Sequence, residues 1–478
     1  MTTMRPGVTL TLLHTNDLHS HFEEASRIAR YIAQTKDAVD ADRLIVVDCG
    51  DFLDRARMET EGTKAAVNVA LLERIGYDAV AFGNNEGLSY TLDELNGIFH
   101  ETSVPIVCAN MTMKETGAQP RWMVPTLKLV KSGIRLGFIG ATAAYESYYK
   151  LLGWNVADPF EIVSREVERL RPEVDVLIVL SHLGLRFDER LAEGNPGIDL
   201  ILGGHTHHLL EVPLTVGRTA ICAAGKFGAY VGHLELEIGA DGKLGKITGG
   251  SKATEDWLQD AGIDDLVGEF RELAKRDMNR QIALLQEPLD RRYDRESPLP
   301  TLLAGAVRRL TGAELGLVNA GQFLEGLPAG PVTEETIHAI CPSPINPCAI
   351  KLDGKTIVRS LEESLLSEFQ EMEIRGFGFR GKELGSLCVD GLAITADLAQ
   401  APYRKVKSVY VNGVPLDPER LYTVGTLDMF SFGVGYLGLK EGRDVRYFLP
   451  DFIRDLLSKA LNEEDSVADC RMPRWRYE

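Results

Sequence analysis

Short apolar runs that break into polar residues or glycine recur along the first half of the chain. They read VTLTLLHTND from Val8, RLIVVDCGD from Arg43, YDAVAFGNNE from Tyr77, VDVLIVLSH from Val174 and IDLILGGHTHH from Ile198. Runs of this length, apolar without regular alternation, predict strands buried on both faces. Between them, TKAAVNVALLERIG and FEIVSREVERLRPE have the apolar spacing of covering helices. This strand and helix alternation predicts a layered α/β domain. Two further strands, TAICAAGK and VGHLELEI, close the half and lead into a glycine-rich turn around Gly242 to Gly250.

The pattern then changes. From Asp256 to Leu285 the apolar positions Leu258, Ile263, Leu266, Val267, Phe270, Leu273, Met278, Ile282 and Leu285 keep a helical period. We read a connecting helix over 255–290, between an N-terminal domain over 1–254 and a C-terminal domain over 291–478. Beyond Pro298 follow helical LPTLLAGAVRRLTG, strand-like ELGLVNAG, helical TIVRSLEESLLSEF and a late β-rich stretch near KVKSVYVNG. A length of 478 residues suits two domains, each long enough for its own core.

Each polar break in the first half carries metal-ligating side chains, and open α/β sheets gather such residues in the crevice outside the carboxyl ends of their strands. Asp17 and His19 form D-x-H, offering a carboxylate beside an imidazole. Asp51 ends VVDCGD, where Gly50 permits a sharp turn and a carboxylate can bridge two cations. Asn84 follows Gly83 at the next strand end, and its carboxamide oxygen is a credible hard ligand. His182 after VLIVL, with His205 and His207 in GGHTHH, adds imidazoles suited to zinc, manganese, iron or cobalt. Singly, these residues read more readily as turn aspartates, a turn asparagine or packed histidines; three histidines in these settings do not. Arg55 in GDFLDR could offer its planar fork to a phosphate or pair with Asp54 or another carboxylate. His21 and His208 adjoin ligand candidates and could support them or carry a proton.

Composition narrows the function classes. With 44% hydrophobic and 26% charged residues, the chain fits neither a disordered nor a membrane-embedded class. A formal charge of −18 opposes phosphate backbones and anionic lipid, so neither nucleic acid nor a membrane is an expected partner. A small phosphorylated metabolite stays compatible, because bound divalent cations reverse the local field. Seven cysteines form no C-x-x-C pair, which argues against a thiolate zinc site or a complete disulfide framework and reads as reduced thiols. Met1 to Gly7 lacks the charged and apolar blocks of a signal peptide, and a cytoplasmic location is expected.

In order and spacing, TNDLHSH, DCGDF, FGNNE, LSHLG and GGHTHH resemble the calcineurin-like metallophosphoesterases, and more closely their 5′-nucleotidase branch, which includes nucleotide-sugar hydrolases. The resemblance extends over nearly the whole chain. It implies a four-layer α/β/β/α catalytic domain and an α+β C-terminal domain that recognises the substrate. It also implies two divalent ions, with Asp17, His19 and His207 on one, Asn84, His182 and His205 on the other, and Asp51 bridging. Two cations about 3.5 to 4 Å apart activate a water for attack on phosphorus and offset charge on the phosphoryl oxygens.

This chain departs from the branch pattern at informative places. After the metal-binding asparagine the family usually carries a histidine and, shortly after, an aspartate that orients it; GNNEGL has Asn85 and Leu88 there. Asn85 can donate a hydrogen bond to a phosphoryl oxygen but cannot deliver a proton at neutral pH, so anhydrides are expected to be cleaved in preference to monoesters. The family's Asn-Gly-Gly-Gly-Ile-Arg stretch is NAGQF, with Phe323 at the arginine position. Ser386 and Met429 fall where two base-sandwiching rings are expected, with Phe430 beside the second. RGFGFRGK offers Phe377, Phe379 and Arg380 as a substitute clamp and phosphate contact, or else a glycine-flexed loop with packed aromatics. The expected function is a dinuclear-metal phosphohydrolase of nucleotides or related small metabolites. Thiosulfate-ester hydrolysis on the same metals, metal-dependent regulation with little turnover and a metal-stabilised structural role are the rivals.

Overall fold

In the computed structural model, which describes residues 7–478, the strand Val8–Thr15 runs parallel to Leu44–Asp48 on one side and antiparallel to Tyr230–Ile238 on the other. Ala79–Ala81, Ile106–Val107 and Met123–Val124 extend one flank and Leu244–Ala253 the other, giving a seven-stranded sheet. A six-stranded sheet is built on Val176–His182, flanked by Ile134–Thr142 and Leu200–Gly203, both parallel to it. The sheets share one core, in which Leu10, Leu12, Ile45 and Val47 of the first meet Phe138, Ile178, Leu180 and Leu202 of the second.

Both faces of the second sheet are covered. Ile178 and Leu180 belong to the inter-sheet core, while Leu177 and Val179 cluster with Val163, Val167 and Leu191 of the helices Pro159–Leu170 and Leu185–Gly194. Hence the strand reads as an unbroken apolar run rather than an alternating one. On the first sheet Leu234 and Leu236 face inward, so His233 faces out, where its Nδ1 meets the Tyr31 hydroxyl of helix Phe22–Ala38 at 2.6 Å. Helix, sheet, sheet and helix therefore stack in the expected order.

The stretch from Gly242 to Gly250 is not the turn the sequence suggested. The chain reverses over Gly239 to Lys243, whose backbones bond at 2.9 Å, and Leu244–Ala253 then pairs with Tyr230–Ile238. Glycine is required inside that strand by close neighbours: a β-carbon on Gly249 would fall 2.1 Å from the His233 carbonyl oxygen, and one on Gly250 1.9 Å from that of Glu211.

The connecting helix is also shorter than 255–290. It spans Ala261–Met278, and Gln281–Leu285 is a strand paired antiparallel with Gly330–Thr333. Ile282 and Leu285 fit a helical period, but Leu284 is 59% exposed and Leu285 only 5%, the side-to-side alternation of a strand. The chain divides into two units within this helix, between Ala274 and Lys275. The second unit has a five-stranded sheet, in spatial order Leu387–Asp390, Leu315–Asn319, Leu421–Leu427, Pro347–Asp353 and Arg443–Tyr447. Helix Pro298–Thr311 buries Leu299, Leu302, Leu303 and Val307 in its core. Among the described residues no helix is long and apolar enough to cross a membrane.

Candidate metal centre

Asp17, His19, Asp51 and Asn84 lie just beyond three neighbouring strands of the first sheet, and His182, His205 and His207 at or beyond the ends of two strands of the second. Asp17, His19, Asp51, His205 and His207 have φ between +47° and +72°. A left-handed backbone costs a non-glycine residue about 1–3 kcal/mol and persists only where its surroundings over-determine it. Here they do. The N–H of Asp17 donates to the Gly50 carbonyl at 3.0 Å and that of His19 to the Asp51 carbonyl at 2.9 Å. Glu86, itself buried, accepts the N–H groups of Asp51 and Leu53 at 3.2 and 3.0 Å. Gly83 allows the crossing of these loops, since a β-carbon there would lie 2.2 Å from the Asp51 nitrogen.

The side chains converge as two groups. In one, Nε2 of His19 faces Nε2 of His207 at 3.4 Å, and the Asp17 Oδ1 lies 3.8 and 3.5 Å from those two nitrogens. In the other, Asn84 Oδ1 lies 3.1 Å from His182 Nε2 and 2.7 Å from His205 Nδ1. Asp51 touches both, with Oδ1 at 3.2 Å from His182 Nε2 and Oδ2 at 3.8 Å from His19 Nε2. Potential ligand atoms of Asp17, His19 and His207 fall within 4.8 Å of one another, as do those of Asp17, Asp51 and His182.

Electrostatics follow from burying opposite charges together. Burial alone would raise the Asp17 carboxyl, but the His207 hydrogen bond and the charges of His182 and His19 hold it below its ordinary range. Asp51 is likewise held low against burial, chiefly by the charge and hydrogen bond of His182. Burial opposes the His182 imidazolium, yet Asp51 and Asp17 together push it up to about 10. Burial and the His182 charge push His205 down to about 4, leaving it neutral.

Comparison with known proteins identifies the family. Residues 10–209 match the calcineurin-like phosphoesterase model and residues 277–439 the 5′-nucleotidase C-terminal domain model. The Bacillus subtilis protein named uncharacterized metallophosphoesterase YunD is 34% identical over 454 residues, covering 94% of this chain and 98% of its own. The chain belongs to the calcineurin-like metallophosphoesterases of the 5′-nucleotidase type. It is a phosphoester hydrolase of a metal-dependent family whose members hydrolyse nucleotides. A Naja atra snake venom 5′-nucleotidase is 25% identical over 90% of this chain and 92% of its own. The crystal structure of a Thermus thermophilus 5′-nucleotidase precursor superposes with a TM-score of 0.62 at 25% identity, covering 95% of this chain and 96% of that one.

Other expected residues of this metallophosphoesterase lie elsewhere. Arg55 does not hold its fork open for a phosphate: Nε and Nη2 donate to Glu61 at 2.6 and 2.9 Å and Nη1 to the Ser89 carbonyl at 2.7 Å. Its ion-pair partner is Glu61. Asn85 donates its amide to the Leu53 carbonyl at 3.2 Å, with the same nitrogen 2.9 Å from His19 Nδ1, so it is packed into the His19 loop rather than held toward a substrate. His21 stands outside the two groups, stacked on Phe227 at 4.2 Å with Nδ1 3.7 Å from Glu24. His208 meets the Thr206 hydroxyl at 2.8 Å.

In the second unit, Phe379 and Phe430 are core residues at 4% and 0% exposure, so neither forms a clamp. Phe323, Ser386 and Met429 are buried as well. Phe377, 53% exposed, instead stacks on Phe432, 39% exposed, with ring centroids 6.1 Å apart and planes at 29°. Arg380 bonds through its backbone N–H to Ser343 Oγ at 3.0 Å and through Nη1 to the Phe379 carbonyl at 3.3 Å. Sequence reasoning also missed Asp54, whose carboxylate lies 3.4 Å from His19 Nδ1, and Glu86, although both stand inside segments that drew attention. Tyr145, with its hydroxyl 3.3 Å from His205 Nε2, carried no signal at all.

Proposed function

We propose that the chain is a dinuclear-metal phosphohydrolase of nucleotides or related small phosphorylated metabolites, favouring anhydrides over monoesters. The observation that carries this reading is Asp51, which turns one carboxylate oxygen to His182 and the other to His19 and so borders both donor groups. The donor set fits cations. Two imidazole nitrogens meeting at 3.4 Å share at most one proton, whereas a cation accepts both lone pairs. Asp17, His19, His207 and Asp51 Oδ2 would hold one ion; Asn84, His182, His205 and Asp51 Oδ1 would hold the other. All donors are nitrogen or oxygen, which suits manganese, zinc, iron or cobalt. Bound there, two such ions supply a Lewis-acid pair that activates water and offsets phosphoryl charge.

The protein's own groups prepare that site. Asp17 and Asp51, held ionised, balance cationic charge, and neutral His205 presents Nδ1. His182 gives up its proton to become a ligand, so metal uptake releases acid. Asp54 accepts the Nδ1 proton of His19 when Nε2 is the ligand, fixing the ring's tautomer. Because Asn85 cannot protonate a leaving group, departing phosphates are favoured over departing alkoxides. The exposed Phe377 and Phe432 rings offer a stacking surface for a planar base. Seven free, buried thiols support a reducing, cytoplasmic location.

A phosphate-release screen of nucleoside mono-, di- and triphosphates and nucleotide sugars, with manganese, zinc, cobalt and magnesium supplied separately, tests the reading. Metal-dependent release, fastest from anhydrides, is expected. Sulfate release from thiosulfate esters without phosphate release, or no turnover with any metal, would overturn it.

A further inference from the structure

The loop after Ile134–Thr142 brings one more polar group to the metal centre. That strand lies beside Val176–His182 with Thr142 in register with His182, so its carboxyl end opens on the same crevice. The loop is pinned there, because the Ala143 N–H donates to the His182 carbonyl at 3.0 Å. The Tyr145 carbonyl then accepts from Tyr148 and Tyr149, both at 3.0 Å, which fixes the residue at the start of a short helical turn. Its ring stands edge-on to His205, centroids 6.1 Å apart, and its hydroxyl is 3.3 Å from Nε2.

Nδ1 of His205 points at Asn84, 2.7 Å away. With Nδ1 as the ligand, the neutral ring carries its proton on Nε2 and donates it to the Tyr145 oxygen. The phenol hydrogen is then left to point at another acceptor. Resting on the two-metal reading, we infer that Tyr145 is a catalytic residue that donates a hydrogen bond to a non-bridging phosphoryl oxygen of the substrate, a task that Asn85, packed against the His19 ring and donating to the Leu53 carbonyl, does not perform. A fixed donor aimed where charge develops is worth about 100- to 1,000-fold in kcat when its removal leaves that charge unmatched. No proton is transferred in this role. The contact is to an oxygen common to every phosphate substrate, so its effect does not depend on the leaving group.

The test compares the full-length chain with Tyr145→Phe and Tyr145→His, each loaded with manganese. Measured are metal content, kcat on a nucleoside diphosphate and on a monophosphate, and the affinity for inorganic phosphate by calorimetry. Tyr145→Phe is expected to keep the wild-type metal content, lose about 100- to 1,000-fold in kcat by similar factors on both substrates, and bind phosphate more weakly. Tyr145→His, which retains a donor, is expected to recover part of both losses. Unchanged kcat and phosphate affinity in Tyr145→Phe would overturn the inference. So would a defect confined to metal occupancy and cured by excess manganese, since the hydroxyl would then only orient His205. A loss confined to the monophosphate would overturn it too, by placing the hydroxyl on the leaving group. Wild-type protein inactive on every substrate with every metal would overturn the parent reading as well, and is distinguishable from these outcomes.

Discussion

The side-chain amide nitrogen of Asn85 lies 2.9 Å from Nδ1 of His19, while Nε2 of the same ring faces His207 at 3.4 Å. An amide at this position steadies a candidate ligand but supplies no acid. Leu88 stands three residues on, within the same short helix Asn84–Ser89, a spacing that puts the two side chains on one face. Restoring a histidine and its orienting aspartate therefore needs both changes, Asn85→His with Leu88→Asp. General acid catalysis is worth about 100- to 10,000-fold, so we expect monophosphate kcat to rise at least about tenfold more than diphosphate kcat. Equal gains, or a wild type already faster on monophosphates, would show the leaving-group argument to be wrong.

Asp51→Ala removes the carboxylate that turns one oxygen to His182 and the other to His19. Both cations lose a ligand and their shared charge balance. Elemental analysis of reconstituted protein is expected to fall from close to two divalent ions per wild-type chain to at most one, with turnover abolished. Wild-type protein that never binds more than one ion would refute the two-metal assignment.

Phe377 and Phe432 present a stacked, solvent-facing pair. Base stacking on an aromatic ring is worth roughly 1–3 kcal/mol. Phe377→Ala is expected to raise KM for nucleotides by about tenfold while leaving KM for pyrophosphate or a simple alkyl phosphate nearly unchanged. A uniform effect on substrates with and without a base would remove the pair from recognition.

The donor set was legible because each ligand candidate follows a strand whose apolar run is unmistakable, and parallel strands deliver their ends to one crevice. What failed had physical causes. Gln281–Leu285 satisfies helical and strand periods alike, and only its pairing with Gly330–Thr333 decides between them. Thr126–Lys131 and Ile134–Thr142 went unread, and Tyr145 with them. Phe379 and Phe430 are chemically indistinguishable from Phe377 and Phe432 in a sequence; burial separates them, and burial is a property of the packed core. Arg55 sits beside Asp54 in the chain, yet Glu61 meets its fork with both carboxylate oxygens.

A last prediction concerns His14, which lies in the first strand outside the donor cluster. It pairs in register with Gly232, and its ring crosses that residue so closely that a β-carbon there would fall 1.8 Å from Nε2. The side chain is 1% exposed and its Nδ1 has no hydrogen-bond partner among the described residues. Burial therefore pushes its pKa down from 6.5 to about 4. Between those values the unfolded chain binds a proton that the folded chain refuses, so stability rises with pH across this window. The contribution is fully present above about 6.5 and is lost progressively as the pH falls toward 4. At about 1.4 kcal/mol per pH unit the loss approaches about 3 kcal/mol. Glu86 and Asp188 are pushed up to about 7 and also titrate near this range, so the comparison must be with a variant that keeps them. His14→Leu does so. Its opening free energy, read by hydrogen exchange on peptides covering Val8–Thr15, is expected to fall less than that of the wild type between pH 7 and pH 4. The wild-type ring, followed by NMR, should stay neutral until the pH nears 4. Parallel pH profiles for the two proteins, or a ring that titrates near 6.5, would mean that His14 is not held neutral by burial.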